Sequence, residues 1–132
     1  MAKRRILLID DEEGLARTMR YAIEERGGYE VRTEQSALAG LRAAKAFHPD
    51  LILLDVIMPE MDGGALAAQL KADVLTRDIP IVFLTAVTSK EEVGAFGGMI
   101  SGHGFLAKPV DTDEVPACIG RYLAISSDRE SL

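Results

Sequence analysis

Hydrophobic positions along the chain fall into short continuous runs, separated by longer stretches in which they recur every three or four residues. The first run, Arg5 to Ile9, ends at Asp10. Uninterrupted apolar runs of this length suit strands of a parallel sheet that is covered on both faces. Leu15, Met19, Ala22 and Ile23 then recur at helical spacing, and Gly27-Gly28 stops that helix. Tyr29 to Thr33 alternates apolar with polar, as an edge strand does. Ser36 caps a second helix whose apolar line runs through Leu38, Leu41 and Ala44 to Phe47, and His48-Pro49-Asp50 breaks it.

The second half repeats the rhythm. Leu51 to Leu54 is the most apolar run and ends at Asp55. A loop from Met58 to Gly64 leads into a third helix on Leu66, Leu70 and Val74. Ile81 to Leu84 is a buried strand ending at Thr85. A fourth helix is expected from Glu91 to Ile100, weakened by Gly94, Gly97 and Gly98, each costing ~1 kcal/mol relative to Ala. Gly104 to Ala107 makes a fifth strand before Lys108-Pro109. A last helix runs from Asp113 to Leu123, with Val115, Cys118, Ile119 and Tyr122 on one stripe and Pro116 in its first turn. Five strand-then-helix units imply an α/β fold, a doubly wound parallel sheet with helices on both faces.

Composition narrows the partners. The chain has 132 residues, enough for one domain with its own core. Residues 1–125 form that domain, and 126–132 are a polar tail or the start of a linker. The formal net charge of −6 disfavours direct contact with nucleic acid or anionic lipid. No apolar run approaches the ~20 residues that span a bilayer. The basic start, Lys3-Arg4-Arg5, lacks the long apolar region of a secretory signal. The single cysteine, Cys118, rules out an internal disulfide, which suits a cytoplasmic location.

In open parallel sheets, sites form beyond the C-terminal ends of the strands. The residues found there are Asp10, Asp11, Asp55, Thr85 and Lys108. Taken singly, such residues are more often a helix cap, a turn former or a solvated surface group. Together they make one chemical set. Two like charges ~4 Å apart repel by about 4 kcal/mol at an effective dielectric of 20, so converging carboxylates ask for a cation. All-oxygen donors suit Mg²⁺ or Mn²⁺, not zinc. A carboxylate beside such an ion is a competent nucleophile toward phosphorus, and a lysine with a hydroxyl can hold the phosphoryl oxygens.

Residues 6–12 (ILLIDDE), 53–63 (LLDVIMPEMDG), 83–86 (FLTA) and 108–109 (KP) resemble the response-regulator receiver domain, the CheY-like module of two-component signalling. The resemblance extends from about Lys3 to Leu123. It implies a five-stranded sheet of flavodoxin-like order 2-1-3-4-5. It also implies that Asp55 accepts a phosphoryl group from a sensor histidine kinase or phosphotransfer protein. Asp10, Asp11, Asp55 and the backbone carbonyl of Ile57 would hold Mg²⁺ (Mn²⁺ as a substitute). Thr85 and Lys108 would engage the phosphoryl group, and Phe105 would act with Thr85 as the switch. The Lys108-Pro109 bond would be cis. The output would be a downstream protein target or an attached output domain, with homodimerisation possible. The domain would be regulatory, catalysing only its own phosphorylation and dephosphorylation.

Two departures from the family pattern carry expectations. Ile57 and Val87 flank the site where many relatives have polar residues. Apolar side chains cannot orient an attacking water, which predicts a long-lived acyl phosphate. Glycines at 94, 97, 98, 102 and 104 predict a short or mobile fourth helix on the surface the family uses for output. His48 reads as structural, His103 as a loop histidine and Cys118 as core; Met58 and Met61 sit in the loop beside the site. Two other classes stay open: a receiver-like binding module that works without phosphorylation, and an Asp-nucleophile phosphohydrolase of the haloacid-dehalogenase type. The second normally has an acid where this chain has Ile57.

Overall fold

The computed structural model describes residues 3–56, 63–85, 104–107, 115–117, 119–121 and 123. Strands β1 (Arg4–Ile9), β2 (Tyr29–Glu34), β3 (Leu51–Asp55), β4 (Ile81–Thr85) and β5 (Gly104–Ala107) alternate with helices α1 (Glu13–Glu25), α2 (Ala37–Phe47) and α3 (Gly63–Ala72). Residues 115–117, 119–121 and 123 are also helical. The strands form one parallel sheet in the order β2-β1-β3-β4-β5, as the sequence implied.

Side chains of successive strand residues point to opposite faces, and that parity builds two cores. On one face, Ile6, Leu8, Leu51, Leu53, Val82 and Leu84 pack against Ala16, Met19 and Ile23 of α1 and against Val115, Ile119 and Leu123. On the other, Leu7, Ile9, Ile52, Leu54, Ile81 and Phe83 pack against Ala37, Ala43 and Ala44 of α2 and Leu66, Ala67 and Leu70 of α3. The central strand β3 is buried at every residue, which explains its unbroken apolar run. Strand β2 lies at the edge, as its alternation predicts. Its outward-facing Val31 N–H is taken up by the Glu24 carboxylate of α1 at 3.2 Å.

Local signals act as expected in three places. The Ser36 hydroxyl accepts the Ala39 N–H at 3.1 Å and starts α2. Gly27 and Gly28 take φ of 79° and 86°, turns a side chain would resist, and so let α1 give way to β2. His48 closes α2 in the left-handed region with φ 54° and is exposed, consistent with a structural role.

Two expectations fail. Leu38 is not on the buried side of α2; it is 56% exposed. The buried arc is Ala37, Gly40, Ala43 and Ala44, one position round from the line of large residues. These small residues bring α2 close to the sheet. A Cβ built on Gly40 would lie 2.6 Å from Ile9 Cδ1. Val74 is not on α3, which ends at Ala72, and it is 68% exposed. Asp73 turns the chain there: its Oδ1 accepts the Leu75 N–H at 2.9 Å, and its carbonyl accepts the N–H groups of Thr76 and Arg77.

At the N-terminal ends of the strands the polar groups are matched. Arg5 N–H donates to Asp50 Oδ2 at 2.8 Å, and Asp50 N–H donates to the Arg5 carbonyl at 2.7 Å. The Arg5 guanidinium donates to the Phe47 carbonyl and lies 5.4 Å from the centre of the Phe47 ring. Lys71 Nζ donates to the carbonyls of Arg77 and Ile79, and burial pulls its pKa below the ordinary lysine value, partly offset by Asp78. The buried Thr76 hydroxyl donates to the Leu70 carbonyl at 2.6 Å.

Candidate metal and phosphoryl site

The opposite end of the sheet gathers acids. Strand register does the gathering: β1 and β3 pair with Ile9 opposite Leu54, so Asp10 and Asp55, one residue further on, lie abreast. Parallel neighbours are about 4.8 Å apart. Asp10 continues the parity of Ile6 and Leu8, and Asp55 that of Leu51 and Leu53. Both acids therefore leave the sheet on the side of α1. Asp10 is 0% exposed and Asp55 5% exposed, while Asp11 is exposed. One carboxylate oxygen from each of the three lies within 4.8 Å of the others.

Asp10 also does what the plainer reading expected. Its Oδ1 accepts the Glu12 N–H at 2.9 Å, at the start of α1, where Glu12 makes no side-chain cap of its own. That N–H was not singled out from the sequence; an acid two residues ahead of a helix start is the signal for it. The hydrogen bond fixes one oxygen of Asp10 and so orients the carboxylate. The N-terminus of α1 adds a partial positive charge at the same end of the sheet.

Three charged carboxylates this close repel one another by about 3 to 4 kcal/mol per pair at an effective dielectric of 20. The donor set fits the cation expected from the sequence. Mg²⁺ takes oxygen ligands at about 2.1 Å, so opposite ligands are about 4.2 Å apart, close to the spread of this cluster, and it keeps several waters. Zinc would call for nitrogen or sulfur donors, and no His or Cys joins the group among the described residues.

The remaining expected members are placed less completely. The backbone of Thr85 ends β4, and Asp55 pairs with the preceding residue, Leu84. Phe105 lies in β5 opposite Phe83, and Ala107 lies opposite Thr85. Lys108 follows Ala107 in the chain but lies outside the described residues. So do Ile57, Met58, Met61, Val87, His103, Cys118, the Lys108-Pro109 bond and the fourth helix expected at 91–100. No helix among the described residues is long and apolar enough to cross a membrane.

Known proteins resemble the chain over most of its length. The response regulator receiver domain pattern matches residues 6–119. The DNA-binding dual master transcriptional regulator RpaA of Synechocystis sp. is 34% identical over 126 residues, covering 95% of this chain and 51% of RpaA. The polar-differentiation response regulator DivK of Brucella ovis is 33% identical over 120 residues, covering 89% of this chain and 94% of DivK. A response regulator crystal structure from Chloroflexus aurantiacus superposes with a TM-score of 0.82 at 28% identity, covering 92% of this chain and 98% of that one. The chain thus spans about half of RpaA and nearly all of DivK. A flavodoxin-like sheet with paired acids at the ends of β1 and β3, matched over most of its length by these relatives, places the chain in the response regulator receiver domain family of two-component systems.

Proposed function

We propose that the chain accepts a phosphoryl group on Asp55 from a phosphohistidine donor, on a sensor histidine kinase or phosphotransfer protein, with Mg²⁺ bound. The observation that carries this reading is the convergence of the Asp10, Asp11 and Asp55 carboxylates within 4.8 Å at neighbouring strand ends. A bound Mg²⁺ (or Mn²⁺) would neutralise these acids and the incoming phosphoryl oxygens. Asp10, Asp11 and Asp55 would hold the ion, with the Ile57 backbone carbonyl as a further ligand. Asp55 supplies the nucleophilic oxygen. A P–O bond forms to it as the donor's P–N bond breaks, and the imidazole nitrogen leaves. Burial of Asp55 keeps bulk water from competing.

Thr85 and Lys108 then engage the phosphoryl oxygens. The added charge biases a two-state surface through Thr85 and Phe105 toward the form that binds a downstream target, an attached output domain or a second copy. With Ile57 and Val87 unable to orient water, the acyl phosphate is long-lived. The site regulates and does not turn over a separate substrate. Acetyl phosphate with Mg²⁺ should add one phosphoryl mass to the chain. Mn²⁺ titration followed by electron paramagnetic resonance should show one bound ion, lost in Asp10→Asn/Asp11→Asn. Decay of the adduct as fast as in chemotaxis-type receivers would refute the slow-hydrolysis part alone.

A further inference from the structure

Away from the acidic site, the layer formed by α2 and α3 carries an unusual surface for so acidic a chain. The two helices bear Arg42, Lys45 and Lys71 and no acid, whereas the whole chain carries a net charge of −6. Between them runs a groove of about 550 Å³, lined by Leu41, Lys45, Gln69, Ala72, Asp73 and Val74. The described residues include four large, well-exposed hydrophobics, and three of them, Leu38, Val74 and Leu75, belong to α2 or to the turn after α3. Leu38, Leu41 and Lys45 follow one another at helical spacing, so an apolar line runs into the groove and ends on a cation. The one acid in the groove, Asp73, is already held by Lys45 at 3.0 Å.

Solvated surfaces rarely gather large apolar residues without a use. We propose that this groove docks an acidic amphipathic segment of a partner protein. Its apolar side chains would enter between Leu41 and Val74, and its carboxylates would face Arg42, with Lys45 shared between them and Asp73. Charge selects the occupant: a basic segment meets like charge on both helices, and the cationic rim favours acids. The groove lies on the face of the sheet opposite α1, and the inference does not depend on phosphorylation at Asp55.

The test is amide NMR on the full chain with two synthetic helical peptides. Each has leucines at i, i+4 and i+7, and the flanking positions are glutamates in one and lysines in the other. The acidic peptide should shift Leu41, Lys45, Gln69 and the 72–75 turn, and bind at least about fivefold more tightly than the basic one. Arg42→Glu and Val74→Ser are exposed changes that leave the fold intact; each should weaken the acidic peptide by about threefold or more. Equal binding of both peptides, no shift up to about 1 mM, or shifts centred on Tyr21 of α1 would overturn the proposal. Shifts that grow with protein concentration in the absence of peptide would also overturn it, by assigning the groove to a second copy.

Discussion

The two ends of the sheet treat charge in opposite ways. At the N-terminal ends of the strands, Arg5 meets Asp50 and the Phe47 carbonyl, Lys71 meets two carbonyls, and Lys45 meets Asp73. At the C-terminal ends, strand register sets Asp10 beside Asp55, and the bend after β1 adds Asp11. The same backbone geometry serves both. One end is arranged so that each charged group lowers the energy of its neighbours. The other gathers like charges, and on the proposed reading a bound cation would offset their repulsion. Stability and function are therefore separable by position along the strands, and substitutions at the two ends should have opposite signs.

The largest effect expected is on metal binding. Asp10→Asn with Asp11→Asn should weaken Mg²⁺ by more than about tenfold, read by calorimetry. Wild type should gain thermal stability as Mg²⁺ is added, by linkage, and the double variant should not. Next comes the sign test. In metal-free buffer Asp11→Asn should raise stability by about 1 to 2 kcal/mol, because it removes one like charge from an exposed position. Asp50→Ala, at the other end, should lower stability by about 1 to 2 kcal/mol, since it strips the acceptor from the Arg5 N–H. Both are read by urea denaturation at constant m. If Asp11→Asn destabilises, the acids are not in conflict and the comparison breaks.

Thr76→Val should cost about 1 kcal/mol by leaving the Leu70 carbonyl without its buried donor. The smallest effect concerns pH. The Asp73 carboxyl is held below its ordinary pKa, first by the Leu75 N–H and then by Lys45. A depressed acid contributes stability that is fully present above its unfolded value and is lost as pH falls through the folded one. Below about pH 4 the Asp73→Asn chain should therefore lose less stability than wild type on further acidification, as read by the difference in Tm between the two across that range.

Much of this was legible in the sequence for physical reasons. Strands buried on both faces must be apolar throughout, so β1, β3 and β4 stand out, and β5 falls at Gly104 to Ala107 as expected. Acids that end such strands are conspicuous because nothing in the core requires them. Helix faces were less legible. In α2 the surface that touches the sheet is built from Ala and Gly, and the eye follows Leu38 instead. Close packing selects small residues where a helix must approach Ile9, and hydrophobicity alone does not report closeness. Val74 misled for another reason: the turn made by Asp73 depends on side-chain hydrogen bonds that periodicity does not contain. The Glu24 carboxylate on the β2 edge was invisible for the same reason.

The central claim is that Asp55 is the phosphoryl acceptor. The most direct test is intact mass after incubation with acetyl phosphate and Mg²⁺, for wild type and Asp55→Asn, repeated with a histidine-kinase donor. The account predicts one phosphoryl group on wild type and none on the variant. An adduct on both chains would move the acceptor elsewhere. No adduct on wild type from either donor, with Mg²⁺ shown to be bound, would contradict the claim and leave a receiver fold that binds its partners without phosphorylation.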